Sequence, residues 1–147
     1  MKLQKATRCA LFAVLELASD PQRQLSATEI ADKYSLSSNH LAKVLRDLGR
    51  AGLVESVRGA GGGYRFSGNA KRATLFDVIK IFEDIDADCL INPEPGDDTD
   101  IGQALCMAMQ EIDSIARGTL MSITIQTLLK SIHWNRERLP QAETETP

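Results

Sequence analysis

The chain has 147 residues, 43% hydrophobic and 25% charged, with a net charge of −3. That length predicts one domain, or a small domain with an appended element, and the composition excludes a wholly disordered chain. The longest uncharged stretch, around Gly118 to Leu129, includes Thr, Ser and Gln, so no spanning helix is expected. Met1-Lys-Leu-Gln-Lys-Ala lacks the apolar core of a secretion signal, and three cysteines without such a signal predict reduced thiols. A soluble, cytoplasmic protein is expected.

The net charge conceals an asymmetry. Residues 1–72 carry 12 Lys and Arg against 6 Asp and Glu, a balance of +6; residues 73–147 carry 5 against 14, a balance of −9. A basic module facing a polyanion and an acidic module facing something else would produce this division. Chance clustering on solvated faces would produce it too, so the charge needs a motif beside it.

In chain order, Ala6 to Ala18 places Leu11, Val14, Leu15 and Leu17 at helical spacing and stops at Ser19-Asp20-Pro21. Ser26 with Glu29 three residues later forms a capping box for a short helix ending near Tyr34. Ser37 caps a third helix running to about Ala51, with Leu41, Val44, Leu45 and Leu48 as its buried stripe and Gly52 as its C-terminal stop. Two short strands, Leu53–Arg58 and Tyr64–Ser67, flank Gly59-Ala60-Gly61-Gly62-Gly63 and read as a hairpin. Thr74 with Asp77 caps a fourth helix over Leu75 to Phe82. An acidic loop with Pro93, Pro95 and Gly96 follows, from Glu83 to Asp100. A long helix is expected from Ile101 to about Ser122, with Ile101, Leu105, Ala108, Ile112, Ile115 and Leu120 as its apolar stripe. Thr124 caps a last short helix ending near Ile132, and Arg136 to Pro147 has no apolar periodicity and reads as a loose tail.

Three helices followed by a glycine-tipped hairpin predict a mostly α fold with a small β-hairpin wing, a winged helix-turn-helix. The third helix presents Ser38, Asn39, His40 and Lys43 at its N-terminal end, where such side chains meet base edges and phosphates in a major groove. Arg46 and Arg50 extend the charge along it. The wing carries Arg58 and Arg65, while Gly61, Gly62 and Gly63 allow the backbone to approach a sugar–phosphate wall. As bland alternatives, Ser37 is a cap alone and Asn39 and His40 are ordinary surface residues; the helix order and the basic wing favour double-stranded DNA.

These residues resemble the Rrf two superfamily of dimeric winged-helix transcription regulators, which includes IscR, NsrR and CymR. The resemblance covers roughly Met1 to Leu129. It rests on Ser38-Asn39-His40-Leu41-Ala42-Lys43-Val44, similar to the family's recognition helix. The most specific part is the wing run Gly52-Leu53-Val54-Glu55-Ser56-Val57-Arg58-Gly59-Ala60-Gly61-Gly62-Gly63-Tyr64. It implies a homodimer joined by the long helix from Ile101, each winged domain reading one half of an imperfect palindrome, with no role for a membrane. The expected organisation is then a winged domain at 1–72, a sensor loop and dimerisation helices at 73–134, and a flexible tail at 135–147. The apolar stripe of the long helix points the same way, because such a face must be buried; packing within the monomer is the alternative.

The resemblance also implies a sensor. Many relatives hold an iron–sulfur cluster through three cysteines in the loop after the fourth helix, sometimes with an acid or histidine from the partner's first helix. This chain departs from that pattern: only Cys89 lies in the loop, within Asp88-Cys89-Leu90-Ile91-Asn92-Pro93. Cys106 lies in the long helix, Cys9 in the first helix, and Arg8 stands where relatives can have an acidic ligand. Three readings stand open: an unusual iron–sulfur cluster on Cys89 and Cys106 with Cys9 or a partner acid; a thiol switch at Cys89; and structural cysteines with regulation by a protein or small ligand. Acidic neighbours disfavour the Cys89 thiolate.

Catalysis is not expected. His40 and His133 have no neighbours at triad spacing, the acidic loop lacks calcium-ligand alternation, and the glycine run lacks the Lys-Ser/Thr of a phosphate loop. The reading is a DNA-binding repressor responding to redox, iron, nitric-oxide or cysteine status. The rival is a winged-helix adaptor that binds protein and not DNA.

Overall fold

A computed structural model describes residues 2–85 and 89–138. Helix α1 (Lys5–Ser19) buries Cys9 and Ala10, Ala13 and Val14, and Leu17 and Ala18, pairs recurring every fourth residue down one face. Helix α2 (Ala27–Tyr34) starts at the reciprocal Ser26–Glu29 capping box and ends at Ser35, which adopts a left-handed φ of 55°. Helix α3 (Ser38–Arg50) is capped by the Ser37 side chain and buries Leu41, Val44, Leu45 and Leu48. Strands β1 (Val54–Val57) and β2 (Gly63–Phe66) pair antiparallel, with Val54 opposite Phe66 and Val57 opposite Gly63. Helix α4 (Leu75–Phe82) starts at the Thr74–Asp77 capping box, α5 (Asp100–Ser122) at Thr99, and α6 (Ile125–Arg138) closes the described chain.

The core lies where α1 packs against α3 and α4, with Leu17, Ile30, Leu41, Leu45, Leu48 and Ile125 fully buried. Each such side chain contributes about 1.5–3 kcal/mol by leaving water. The elements match the expected winged helix-turn-helix followed by a long helix. One end differs: α6 continues to Arg138, past the end expected near Ile132 and into the expected tail. Its last turns hold exposed polar and charged side chains, so no apolar stripe announces them in the sequence. The remainder of that tail, and Asp88 of the expected sensor loop, lie outside the described residues.

Two backbone ties join segments distant in sequence. Leu25 and Tyr64 exchange hydrogen bonds at 2.9 and 2.7 Å, tying the wing to the chain before α2. A β-carbon at Gly63 would lie 2.5 Å from the Leu25 carbonyl oxygen and 2.7 Å from its carbon. Backbone cannot yield as a flexible side chain does, so Gly63→Ala is expected to cost about 1–3 kcal/mol of stability, read as a fall in thermal midpoint. The second tie joins Thr74 to Thr124: Leu75 N–H donates to Ile123 O and Ile125 N–H to Ala73 O, both at 2.9 Å. It anchors the α5–α6 junction at the base of the wing and at the start of α4.

Glu16, 7% exposed, is a charged residue in the buried face of α1. Its carboxylate accepts from Arg23 at 2.8 Å, from Lys33 at 2.9 and 3.0 Å, and from the Tyr34 hydroxyl. Burial pushes this carboxyl up, but the bonds from Tyr34, Lys33 and Arg23 outweigh it and hold the group below the usual carboxylate range. Burial and Glu16 together push Tyr34 up to about 12. A carboxyl lowered on folding stabilises above its unfolded value, about 4.3, and loses that contribution as pH falls through its folded value. Glu16→Gln is therefore expected to lower stability at pH 7 by about 1–3 kcal/mol and to flatten the acid limb of a denaturation series.

Candidate DNA interface and sensor loop

The Ser37 side chain accepts from the His40 N–H and starts α3 so that its first turn stands free of the core. Ser38, Asn39, Lys43 and Arg46 are exposed there, while Leu41, Val44, Leu45 and Leu48 hold the opposite face inward. His40 differs from its neighbours. It is half-buried, and its Nε2 is shut from solvent with no hydrogen-bond partner among the described residues. The exposed polar groups of this turn are therefore Ser38, Asn39 and Lys43.

The wing turns at Gly59, with φ of 111°, and Gly61, with φ of 74°; Gly62 N–H closes it onto Gly59 O at 2.9 Å. A β-carbon at Gly62 would fall onto Val57 O and 2.8 Å from Gly59 O, so that position has no room for a side chain. Arg58 is exposed at the tip. Arg65 is not equivalent to it, since its guanidinium is ion-paired with Glu55 across the hairpin.

The three cysteines do not meet. Cys9 is 1% exposed within the core, and burial pushes its thiol up, against the lowering by Lys5 and Arg8. Cys89 and Cys106 form a disulfide, with α-carbons 6.1 Å apart. The expectation of reduced thiols thus fails for this pair: the acidic loop folds back across the first turns of α5, a closure the spacing of 17 residues does not announce. Gly102 permits it, since a β-carbon there would strike the Gly96 carbonyl. The disulfide borders a cavity of about 450 Å³ lined by Asp84, Glu94, Asp97 and Asp113.

An iron–sulfur cluster finds a poor donor set here. Two of the three thiols are joined to each other, the third is in the core, and no three His, Cys, Asp or Glu side chains among the described residues are placed to hold a metal ion.

The loop is wired to α1 by Glu83, which sequence reading missed. Its carboxylate accepts from Gln4 N–H at 2.7 Å and from the Thr7 hydroxyl at 2.6 Å. Gln4 gives α1 no side-chain cap of its own, so an acid from the end of α4 does so. The Thr7 and Gln4 bonds hold Glu83 below its ordinary value.

On α5, Ile101, Leu105, Ile112 and Ile115 are 56–77% exposed, and only Leu120 of the large stripe residues is buried. Packing among the described residues does not cover that face.

Three helices, the third with an exposed polar start, followed by a glycine-tipped hairpin define a winged helix-turn-helix protein. The family model described as "Rrf2: Iron-dependent Transcriptional regulator" matches residues 3–131. A putative HTH-type transcriptional regulator, BadM of Rhodopseudomonas palustris, is 55% identical over 138 residues, covering 94% of this chain and 87% of BadM. Among solved structures, CymR, described as the global cysteine regulator of B. subtilis, superposes with a TM-score of 0.74 at 28% identity, covering 89% of this chain and 98% of CymR. T. potens IscR shares the fold, with a TM-score of 0.73 at 24% identity over 96% of this chain and 93% of IscR. The chain belongs to the Rrf2 family of transcriptional regulators and is not an enzyme. Among the described residues, no helix is long and apolar enough to cross a membrane.

Proposed function

We propose that the protein is a cytoplasmic homodimeric repressor that reads an imperfect palindrome and responds to redox state through Cys89 and Cys106. The direct face comprises Ser38, Asn39, Lys43, Arg46, Arg58 and the Gly61–Gly63 backbone, with Arg65 supporting the wing through Glu55. The exposed apolar face of α5 supports the dimer, because contiguous apolar surface of this kind marks an interface.

One observation carries the sensory reading: Cys89 in the loop meets Cys106 on the helix that bears that face. Oxidation joins the two thiols through a new S–S bond, and their two electrons and two protons pass to an oxidant such as hydrogen peroxide, whose O–O bond breaks to give two waters. The new bond pins the loop to α5. Because the loop begins at Glu83, which caps α1, and α5 ends at the Thr74–Thr124 tie, the change reaches the winged domain at two points. A coupling of a few kcal/mol alters operator occupancy strongly.

The first measurement is iron and acid-labile sulfide per chain, with a visible spectrum, on anaerobically purified protein. Colourless, iron-free protein is expected. Near-stoichiometric iron and sulfide would restore the cluster reading and overturn the dithiol one. Next, operator affinity is compared between reduced and peroxide-treated protein. A shift of at least about fivefold is expected for the native chain, and none for Cys89→Ser or Cys106→Ser. An unchanged peroxide response in both variants would remove the pair from the mechanism.

A further inference from the structure

A second cleft, of about 470 Å³, opens between the C-terminal half of α1, the end of α2 and the outer half of α6. Its volume falls within the range of small-molecule sites. One wall is apolar and consists of Leu15, Leu129 and Ile132. Around the rest stand Arg23, Lys33, His133 and Arg136.

Glu16 is the sole carboxylate among the lining residues, and it is already shared by Arg23, Lys33 and the Tyr34 hydroxyl. Three permanent cations therefore face one saturated anion. Arg136 has no ion-pair partner among the described residues. The Glu16 bonds also fix Arg23 and Lys33 in place, so the cationic side is preorganised before anything binds.

We propose that this cleft binds an organic anion with an apolar body, of the monocarboxylate class. Its charged end meets Arg136 and Arg23, where a guanidinium takes a carboxylate with two parallel hydrogen bonds. Its apolar body covers Leu15, Leu129 and Ile132. A neutral apolar molecule leaves Arg136 without an anion, and an inorganic anion leaves the apolar wall wet, so the site needs both parts. The occupied cleft joins α2, the first helix of the helix-turn-helix, to α6.

Calorimetric titration of the full chain with octanoate tests this, with 1-octanol and inorganic phosphate as half-ligands. Saturable binding of one octanoate per chain is expected, at least tenfold weaker for Arg136→Glu, and at least tenfold weaker for either half-ligand on the native chain. Arg136 is exposed on the last turns of α6, away from the core and the Glu16 bonds, and unchanged circular dichroism and thermal midpoint check that its replacement leaves the fold in place. No saturable octanoate binding, equal binding by Arg136→Glu, or equal binding of 1-octanol each overturns the proposal.

Discussion

Replacing Ile112 with glutamate is expected to convert the protein to monomers and to weaken operator binding by about a hundred- to ten-thousandfold. Ile112 is 56% exposed at the middle of the α5 face, with Leu105, Met109 and Ile115 exposed on the same helix. A charge there must be desolvated when two such apolar faces close. With a dimer, the second winged domain binds its half-site at an effective concentration in the millimolar range, and that advantage disappears with the monomer. Sedimentation and operator titration on one sample read both effects. A variant that remains dimeric with full affinity would place the interface elsewhere.

Lys43→Ala and Arg58→Ala carry the next largest effect. Loss of either is expected to weaken operator binding roughly ten- to hundredfold, and loss of a phosphate contact lowers the salt slope by about one. Arg65→Ala is expected to cost less, because Glu55 already engages that guanidinium. A winged-helix adaptor without DNA function would show neither salt dependence nor sequence preference. Unchanged affinity in both Lys43→Ala and Arg58→Ala would mean that DNA meets another face.

Where hydrogen bonds are local, the sequence is explicit. The Ser26–Glu29 and Thr74–Asp77 boxes and the Ser37 cap each close within three residues, so they can be read before any fold is known. The stripe of α3 and the glycines of the wing are equally local, whereas the burial of His40 depends on neighbours. Glu16 gives a faint signal as a lone acid amid apolar residues, yet its partners lie 7, 17 and 18 positions away. Glu83 gives none, since its acceptance from Gln4 spans 79 positions.

The amino-acid order by itself determined the helix starts, the winged helix-turn-helix and the division of charge between the two halves of the chain. Periodicity and capping are set by neighbours three or four residues apart, whatever the rest of the chain does. Tertiary structure decided which stripe on α5 stays uncovered, which thiols meet and which acid caps α1. Those outcomes depend on loop closures and on competition for burial, and no local pattern encodes how distant segments share one core.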